Sequence, residues 1–256
     1  MLLNRLIPIV LLKGESLVKT FKFKKYTYVG DPTNTLRIFN ELLVDELIIL
    51  DIDATKLNHP PNFRLLKQIA EECFMPLTYG GGISNIDHAK RIFDLGFEKI
   101  SINTNAITNP DLIIDLSSYF GNQSIIGSVD VRNNFFNKQR VVSHGSTKFT
   151  RLHPLEWAIQ LEKLGVGELL LTSVEREGTW SGMDINLIRQ ISDNISIPLI
   201  AHGGAGNLSH VKDAIKKGKA SAVGLGSMVT FQKKGNGVLV NFPLRNEIEN
   251  FLMIER

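Results

Sequence analysis

The chain carries nearly the same stretch twice, 122 residues apart. Residues 76–95 read PLTYGGGISNIDHAKRIFDL, and residues 198–217 read PLIAHGGAGNLSHVKDAIKK. Pro76, Leu77, Gly81, Gly82, Asn85, His88 and Lys90 coincide with Pro198, Leu199, Gly203, Gly204, Asn207, His210 and Lys212. The match extends to Gly96 and Gly218, and back to Glu46 and Glu168. Each copy is an apolar run, a glycine turn and an amphipathic segment, which together read as strand, turn and helix. A fold that holds both must repeat one strand–helix unit half a chain later.

The rest of the chain has the same grammar. Apolar runs at 6–12, 47–51, 77–79, 99–103, 125–130, 168–172, 198–202 and 221–224 read as strands. Amphipathic segments at 33–43, 63–72, 86–95, 111–120, 154–164, 184–192, 208–217 and 244–253 read as helices. Asn85 and Asn207 are placed as N-caps, Pro110 and Pro154 near first turns, and Gly96 and Gly218 at helix ends. Eight such units in 256 residues predict an α/β fold, a (β/α)8 TIM barrel. The repeat divides it into halves of four units, 1–123 and 124–256. Half a barrel would leave sheet edges open, so residues 1–256 are expected to form one domain. Residues 19–25, basic with interleaved aromatics, and the polar stretch 132–149 follow strand ends and read as loops over the active face.

Composition narrows the function. A net charge of +3 is too mild to argue for nucleic acid. Cys73 stands alone, so no internal disulfide can form, and a cytoplasmic setting is expected. The apolar run at 6–12 stops at Lys13, too short for a membrane span. No HExxH, CxxC or GxSxG motif occurs, so metalloprotease, redox and serine-hydrolase readings have no support, and His202, with no histidine at a metal-binding spacing, is not expected to be a metal ligand.

Glycine at a strand-to-helix turn lets phosphate oxygens approach backbone N–H groups. One such turn could equally be a plain corner. Two matched turns favour phosphate: Gly82 with Asn103 and Thr104, and Gly204 with Gly226 and Ser227. Two facing cradles would suit an elongated bisphosphate. Asp130 closes the run IIGSVD, where a barrel carries its acid or base, and a loop-capping role is the plainer alternative. Asp51 ends the second strand and suits binding or orientation as well as it suits a chemical role. His88 and His210 read as surface or packing residues. Arg5, Glu46, Lys99 and Glu168 each precede a strand, at the face opposite the site. Alone, they read as ordinary solvated charges.

Nearly the whole chain resembles HisF, the cyclase subunit of imidazole glycerol phosphate synthase. The stretches that carry this are RLIPIVLLKGESLVK, DELIILDIDAT, PLTYGGGIS, GFEKISINTNAI, FGNQSIIGSVDVR, LLLTSVEREGT and PLIAHGGAGN. The resemblance implies a barrel that takes ammonia from a HisH-like glutaminase in a heterodimer. It implies cyclisation and cleavage of a phosphoribulosyl aminoimidazole carboxamide bisphosphate, without metal or organic cofactor. Asp130 then matches a catalytic acid/base. Gly82, Asn103 and Thr104 match one phosphate site, and Gly204, Gly226 and Ser227 the other. Lys19, Thr172 and Gly178 fall on substrate-binding segments. Arg5, Glu46, Lys99 and Glu168 match the gate at the ammonia entrance, which reverses the plain reading of these charges.

Departures from that pattern are specific. The family's other catalytic aspartate ends the first strand, and Leu11 stands there. A leucine can neither give nor take a proton, and one acid/base group contributes roughly 100- to 10,000-fold in rate. His202 replaces a usual small serine, and a DRDG stretch has become Glu175-Arg176-Glu177-Gly178. The basic stretch FKFKKYTY also departs. The alternative expectation is therefore a cyclase-impaired ammonia conduit serving a separate amidotransferase in surface-polysaccharide sugar synthesis.

Overall fold

The computed structural model describes residues 4–235 and 237–253. β1 (Arg5–Lys13) turns into a hairpin, β2 (Ser16–Phe21) and β3 (Lys25–Gly30), before α1 (Pro32–Glu41). There follow β4 (Leu47–Asp51), α2 (Phe63–Glu72), β5 (Leu77–Gly80), α3 (Ile86–Asp94), β6 (Lys99–Ile102), α4 (Thr104–Thr108) and α5 (Asp111–Phe120). The second half holds β7 (Ile125–Asn133), β8 (Gln139–Ser143), β9 (Lys148–Phe149), α6 (Pro154–Leu164) and β10 (Glu168–Ser173). It ends with α7 (Ile185–Ser192), β11 (Leu199–His202), α8 (Leu208–Lys216), β12 (Ala222–Leu225), α9 (Ser227–Thr230) and α10 (Arg245–Met253).

Strands β1, β4, β5, β6, β7, β10, β11 and β12 pair in parallel, in that order, and β12 returns to β1. The ring is closed, with helices in the crossovers: a (β/α)8 barrel, as the repeat predicts.

Closure explains why the strands read as unbroken apolar runs. A barrel strand is buried on both faces. On β1, Ile7, Ile9 and Leu11 face the barrel interior with Ile48, Ile126, Leu170 and Ile200. Leu6, Val10 and Leu12 belong instead to the layer that includes Leu36 and Phe39 of α1. The alternation is the period-two pleat, and each fully buried aliphatic side chain is worth about 1.5–3 kcal/mol.

Helix starts are set by side chains that accept the orphan N–H groups of a first turn. Asn85 Oδ1 accepts from His88 N at 2.8 Å, and Asn207 Oδ1 from His210 N at 3.0 Å. Gly96 ends α3 with a left-handed φ of 98°. At the matching end of α8 that backbone falls on Lys219, φ 57°. Gly218 is required there for a different reason: a Cβ would stand 2.5 Å from the Ala214 carbonyl oxygen.

The two stretches read as loops contain strands as well as turns. Residues 19–25 fall in the β2–β3 hairpin, whose first strand pairs antiparallel with β1 (Leu11 with Val18, Leu12 with Leu17). Residues 132–149 fold back as β8 and β9 on the extended end of β7. Their composition hides the pattern, because β2 buries Lys19 and Thr20 along with Leu17 and Val18, whereas β3 and β9 are largely exposed. Among the described residues, no helix is long and apolar enough to cross a membrane.

Candidate functional site

A cavity of about 120 Å³ opens at the carboxyl ends of the barrel strands. Leu11, Leu50, Gly80, Ser101, Asp130, Thr172 and His202 form its wall, and Thr20, Phe23 and Tyr26 of the hairpin form its roof.

Asp130 is buried near the end of β7. Asn103 Nδ2 donates to its Oδ2 at 3.0 Å, and the Thr172 hydroxyl also donates to it. Burial pushes its carboxyl up to about 7, against the pull of those two donors. A carboxyl poised there can hold or release a proton near neutrality.

Thr172 Oγ1 lies 3.3 Å from His202 Nδ1. When Asp130 is ionised the hydroxyl proton goes to it, and His202 Nδ1–H is then the donor to Thr172. Burial, then the charge of Lys19, lowers the His202 pKa to about 3, so the ring is neutral. Lys19 is itself buried on β2, and its ammonium donates to the Ile9 carbonyl. Burial lowers its pKa to about 8, and nearby Glu177 opposes that.

Glu177 was noted in the sequence only as a changed side chain. It is the anchor of the hairpin. Its carboxylate accepts from Phe23 N at 3.3 Å and pairs electrostatically with Lys19, while its carbonyl accepts from Lys22 N at 3.1 Å. Gly178 beside it has no room for a Cβ, which would stand 2.6 Å from the Thr20 carbonyl oxygen. Gly178 thus seats the hairpin from below.

The expected phosphate residues divide. Gly82, Asn103 and Thr104 line the cavity, and Thr104 Oγ1 accepts from His144 N at 3.0 Å. Gly204, Gly226 and Ser227 are not on its wall. Gly204 is closed in by Gly182 and Arg176. Asp51 lines the cavity, yet its Oδ1 also accepts from Asp53 N and Ala54 N at 3.0 Å each. It is thus a loop cap as well as a wall, with its pKa raised by burial. His88 and His210 brace the two glycine turns, through contacts with the Gly82 carbonyl oxygen and Gly206 N–H. Lys56 and Ser101 also line the cavity, and sequence reasoning missed both. Neither sits in a motif; only the fold brings them to the glycine turn.

At the opposite end of the barrel, the four strand-leading charges form a ring. Arg5 donates to Glu46 at 2.8 Å and to Glu168, and Lys99 reaches Glu168 at 2.8 Å and Glu46 at 3.9 Å. Each cation meets both anions. Glu168 is the deepest member, its side chain 4% exposed.

The model of a family described as "Histidine biosynthesis protein" matches residues 5–234. A Pseudomonas aeruginosa protein named "Putative imidazole glycerol phosphate synthase subunit hisF2" is 47% identical over 97% of this chain and 99% of its own. A Leptospira borgpetersenii protein named "Putative imidazole glycerol phosphate synthase subunit HisF" is 41% identical over 95% and 96%. A Vibrio vulnificus protein named "Putative imidazole glycerol phosphate synthase subunit hisF3" is 38% identical over 96% and 95%.

The chain is a HisF-like member of this family.

Within this HisF-like barrel, strand register relates Leu11 to Asp130. Leu11 pairs with Leu50, and Asp130 pairs with Thr172. Leu50 and Thr172 are themselves 122 residues apart. Leu11 is thus the twofold mate of Asp130, and it turns a 5% exposed isobutyl group to the cavity.

Proposed function

We propose that this HisF-like barrel receives ammonia from a HisH-like glutaminase docked on the Arg5 face, and passes it up the barrel to the cavity. The closed ring of Arg5, Glu46, Lys99 and Glu168 carries this reading. Two acids and two bases make a neutral ring that a small uncharged molecule can pass when one pair parts. Above it, Ile7, Ile9, Ile48, Ile126, Leu170 and Ile200 give the interior an apolar lining. Such a lining favours ammonia over ammonium, because an isolated charge there would be unsolvated.

What happens at the mouth depends on Leu11. The family cyclisation needs two acid/base groups, and this cavity offers Asp130 alone on the paired rungs. That favours a cyclase-impaired conduit, in which the barrel hands ammonia to a separate amidotransferase in surface-polysaccharide sugar synthesis. The cyclase reading is supported by Asp130, which is held by Asn103 and Thr172 with its pKa at about 7. Both readings place the protein in the cytoplasm, within a glutamine amidotransferase complex.

The two separate in one assay. Purified protein is given ammonium and the bisphosphorylated family substrate, and imidazole glycerol phosphate is followed. The conduit reading expects no turnover above background. Turnover at a rate typical of the family would sink it.

A further inference from the structure

Three adjoining rungs give the two half-barrels opposite chemistry. Thr172 pairs with Asp130 on one side and with His202 on the other. Register on neighbouring strands sets these three side chains side by side on one face. The same rungs of the first half hold Leu11, Leu50 and Gly80. Leu50 and Gly80 lie 122 residues before Thr172 and His202. One half is apolar across all three rungs. The other carries a carboxyl, a hydroxyl and an imidazole.

Those three groups stand in series. The Thr172 hydroxyl donates to Asp130, and Thr172 Oγ1 lies 3.3 Å from His202 Nδ1. All three residues are buried, and all three line the cavity. The hydroxyl has one hydrogen and sits between two groups that can each accept it. While Asp130 is ionised, that hydrogen goes to the carboxylate, and His202 Nδ1–H donates to Thr172. Nε2 then holds a lone pair. Once Asp130 gains a proton, the order reverses. Asn103 Nδ2 already donates to Oδ2, so the new carboxyl hydrogen turns to Thr172 Oγ1. The threonine hydrogen then needs an acceptor, and His202 Nδ1 is within reach. A buried O–H left without one is costly, so the imidazole hydrogen moves to Nε2.

The surrounding charges keep the imidazole neutral in both arrangements. Lys19, reaching in from β2, joins burial in disfavouring the imidazolium. Glu177, in the loop after β10, joins burial in favouring a protonated Asp130, while Asn103 and Thr172 resist it. Asp51 of β4 lines the same cavity with its Oδ1 tied to Asp53 N and Ala54 N. The β12 strand and its end meet His202 with Gly224 and Gly226, which do not titrate.

We infer that Asp130, Thr172 and His202 form a proton relay, which gives the cavity two points of proton exchange: the Asp130 carboxyl and His202 Nε2. A proton that reaches Nε2 releases Nδ1–H to Thr172 Oγ1, and the threonine hydrogen passes to Asp130. The sum is one proton gained. The carboxylate becomes a carboxyl, and the imidazole stays neutral with its hydrogen moved from Nδ1 to Nε2. The reverse sequence delivers the Asp130 proton to a ligand atom beside Nε2. The second half thus supplies an exchange point that Leu11 cannot. The inference rests on reading Asp130 as the acid/base group of this mouth, and on no turnover or partner.

Nitrogen-15 NMR of the full chain, labelled in histidine, tests it, because the two ring nitrogens report which one carries the hydrogen. A His202→Gln sample identifies the signals. Carbon-13 NMR of labelled aspartate carboxyls follows Asp130 in parallel. As pH rises through about 7, where burial places Asp130, His202 should shift from Nε2–H towards Nδ1–H with the same midpoint. The tautomer ratio should change about tenfold, which is what one hydrogen bond is worth. Thr172→Val should abolish the change, and Thr172→Ser should keep it. A tautomer that stays fixed while Asp130 titrates overturns the relay and leaves Asp130 as the acid/base group. An Asp130 that does not titrate sinks both. An imidazolium in this range, or coupling that survives Thr172→Val, also overturns the relay. The unaltered chain decides the coupling even if Thr172→Val fails to fold.

Discussion

Leu11 and Asp130 stand on the same rung of the two half-barrels, one on β1 and one on β7. Both side chains meet the cavity. On these matched rungs the barrel sets an acid against an alkane. Leu11→Asp should therefore gain about 100-fold or more in ammonium-driven formation of imidazole glycerol phosphate. No gain over the unaltered chain would show that Leu11 is not what limits the reaction.

Asp130 makes stability depend on pH in a predictable direction. Its folded pKa is about 7, above the ordinary 3.8. Between those values the folded state holds a proton that the unfolded state has released. Raising the pH from about 4 to 7 therefore removes stability, by about 4 kcal/mol at most. Asp130→Asn abolishes the titration while keeping an acceptor for Asn103. Urea denaturation across that range should show the unaltered chain losing stability relative to Asp130→Asn. Parallel curves count against it.

Glu168 is the keystone of the charged ring. Glu168→Ala leaves Arg5 and Lys99 facing each other with one anion fewer, and should cost about 3–5 kcal/mol. Glu46, more exposed and 3.9 Å from Lys99, should cost less on the same change. Thermal melts rank the two. For the proposed gate, Lys99→Ala should lower glutamine-driven product formation more than ammonium-driven formation. Equal effects on both argue for a purely structural ring.

The hairpin tip depends on Glu177. Glu177→Ala removes the acceptor for Phe23 N and the partner of Lys19. Trypsin should then cut at Lys22, Lys24 or Lys25 several-fold faster, while sites on the outer helices keep their rates. An unchanged cleavage pattern would mean that the roof is held elsewhere.

Much of the fold was legible because a barrel strand leaves a simple trace: both faces are buried, so each strand is an apolar run. Asn85 and Asn207 marked helix starts because capping is local chemistry. The β2–β3 and β8–β9 extensions were missed for the opposite reason. They lie over the mouth, half wet, and Lys19 hides a buried ammonium inside what reads as a solvated basic loop. The site was legible where residues sit on strand ends, as with Asp130, Asn103 and Thr104. Lys56 and Ser101 gain meaning only from neighbours distant in sequence.

The β2–β3 hairpin is a direct continuation of a barrel stave. Leu11, Leu12 and Lys13 of β1 pair with Val18, Leu17 and Ser16, and Leu17 and Val18 are buried. The base of the roof thus cannot swing aside without unzipping the wall beneath it. Only the tip, where Lys22 and Phe23 hold left-handed backbone, is free to peel. Opening the roof would mean fraying the tip that Glu177 holds, not hinging its base.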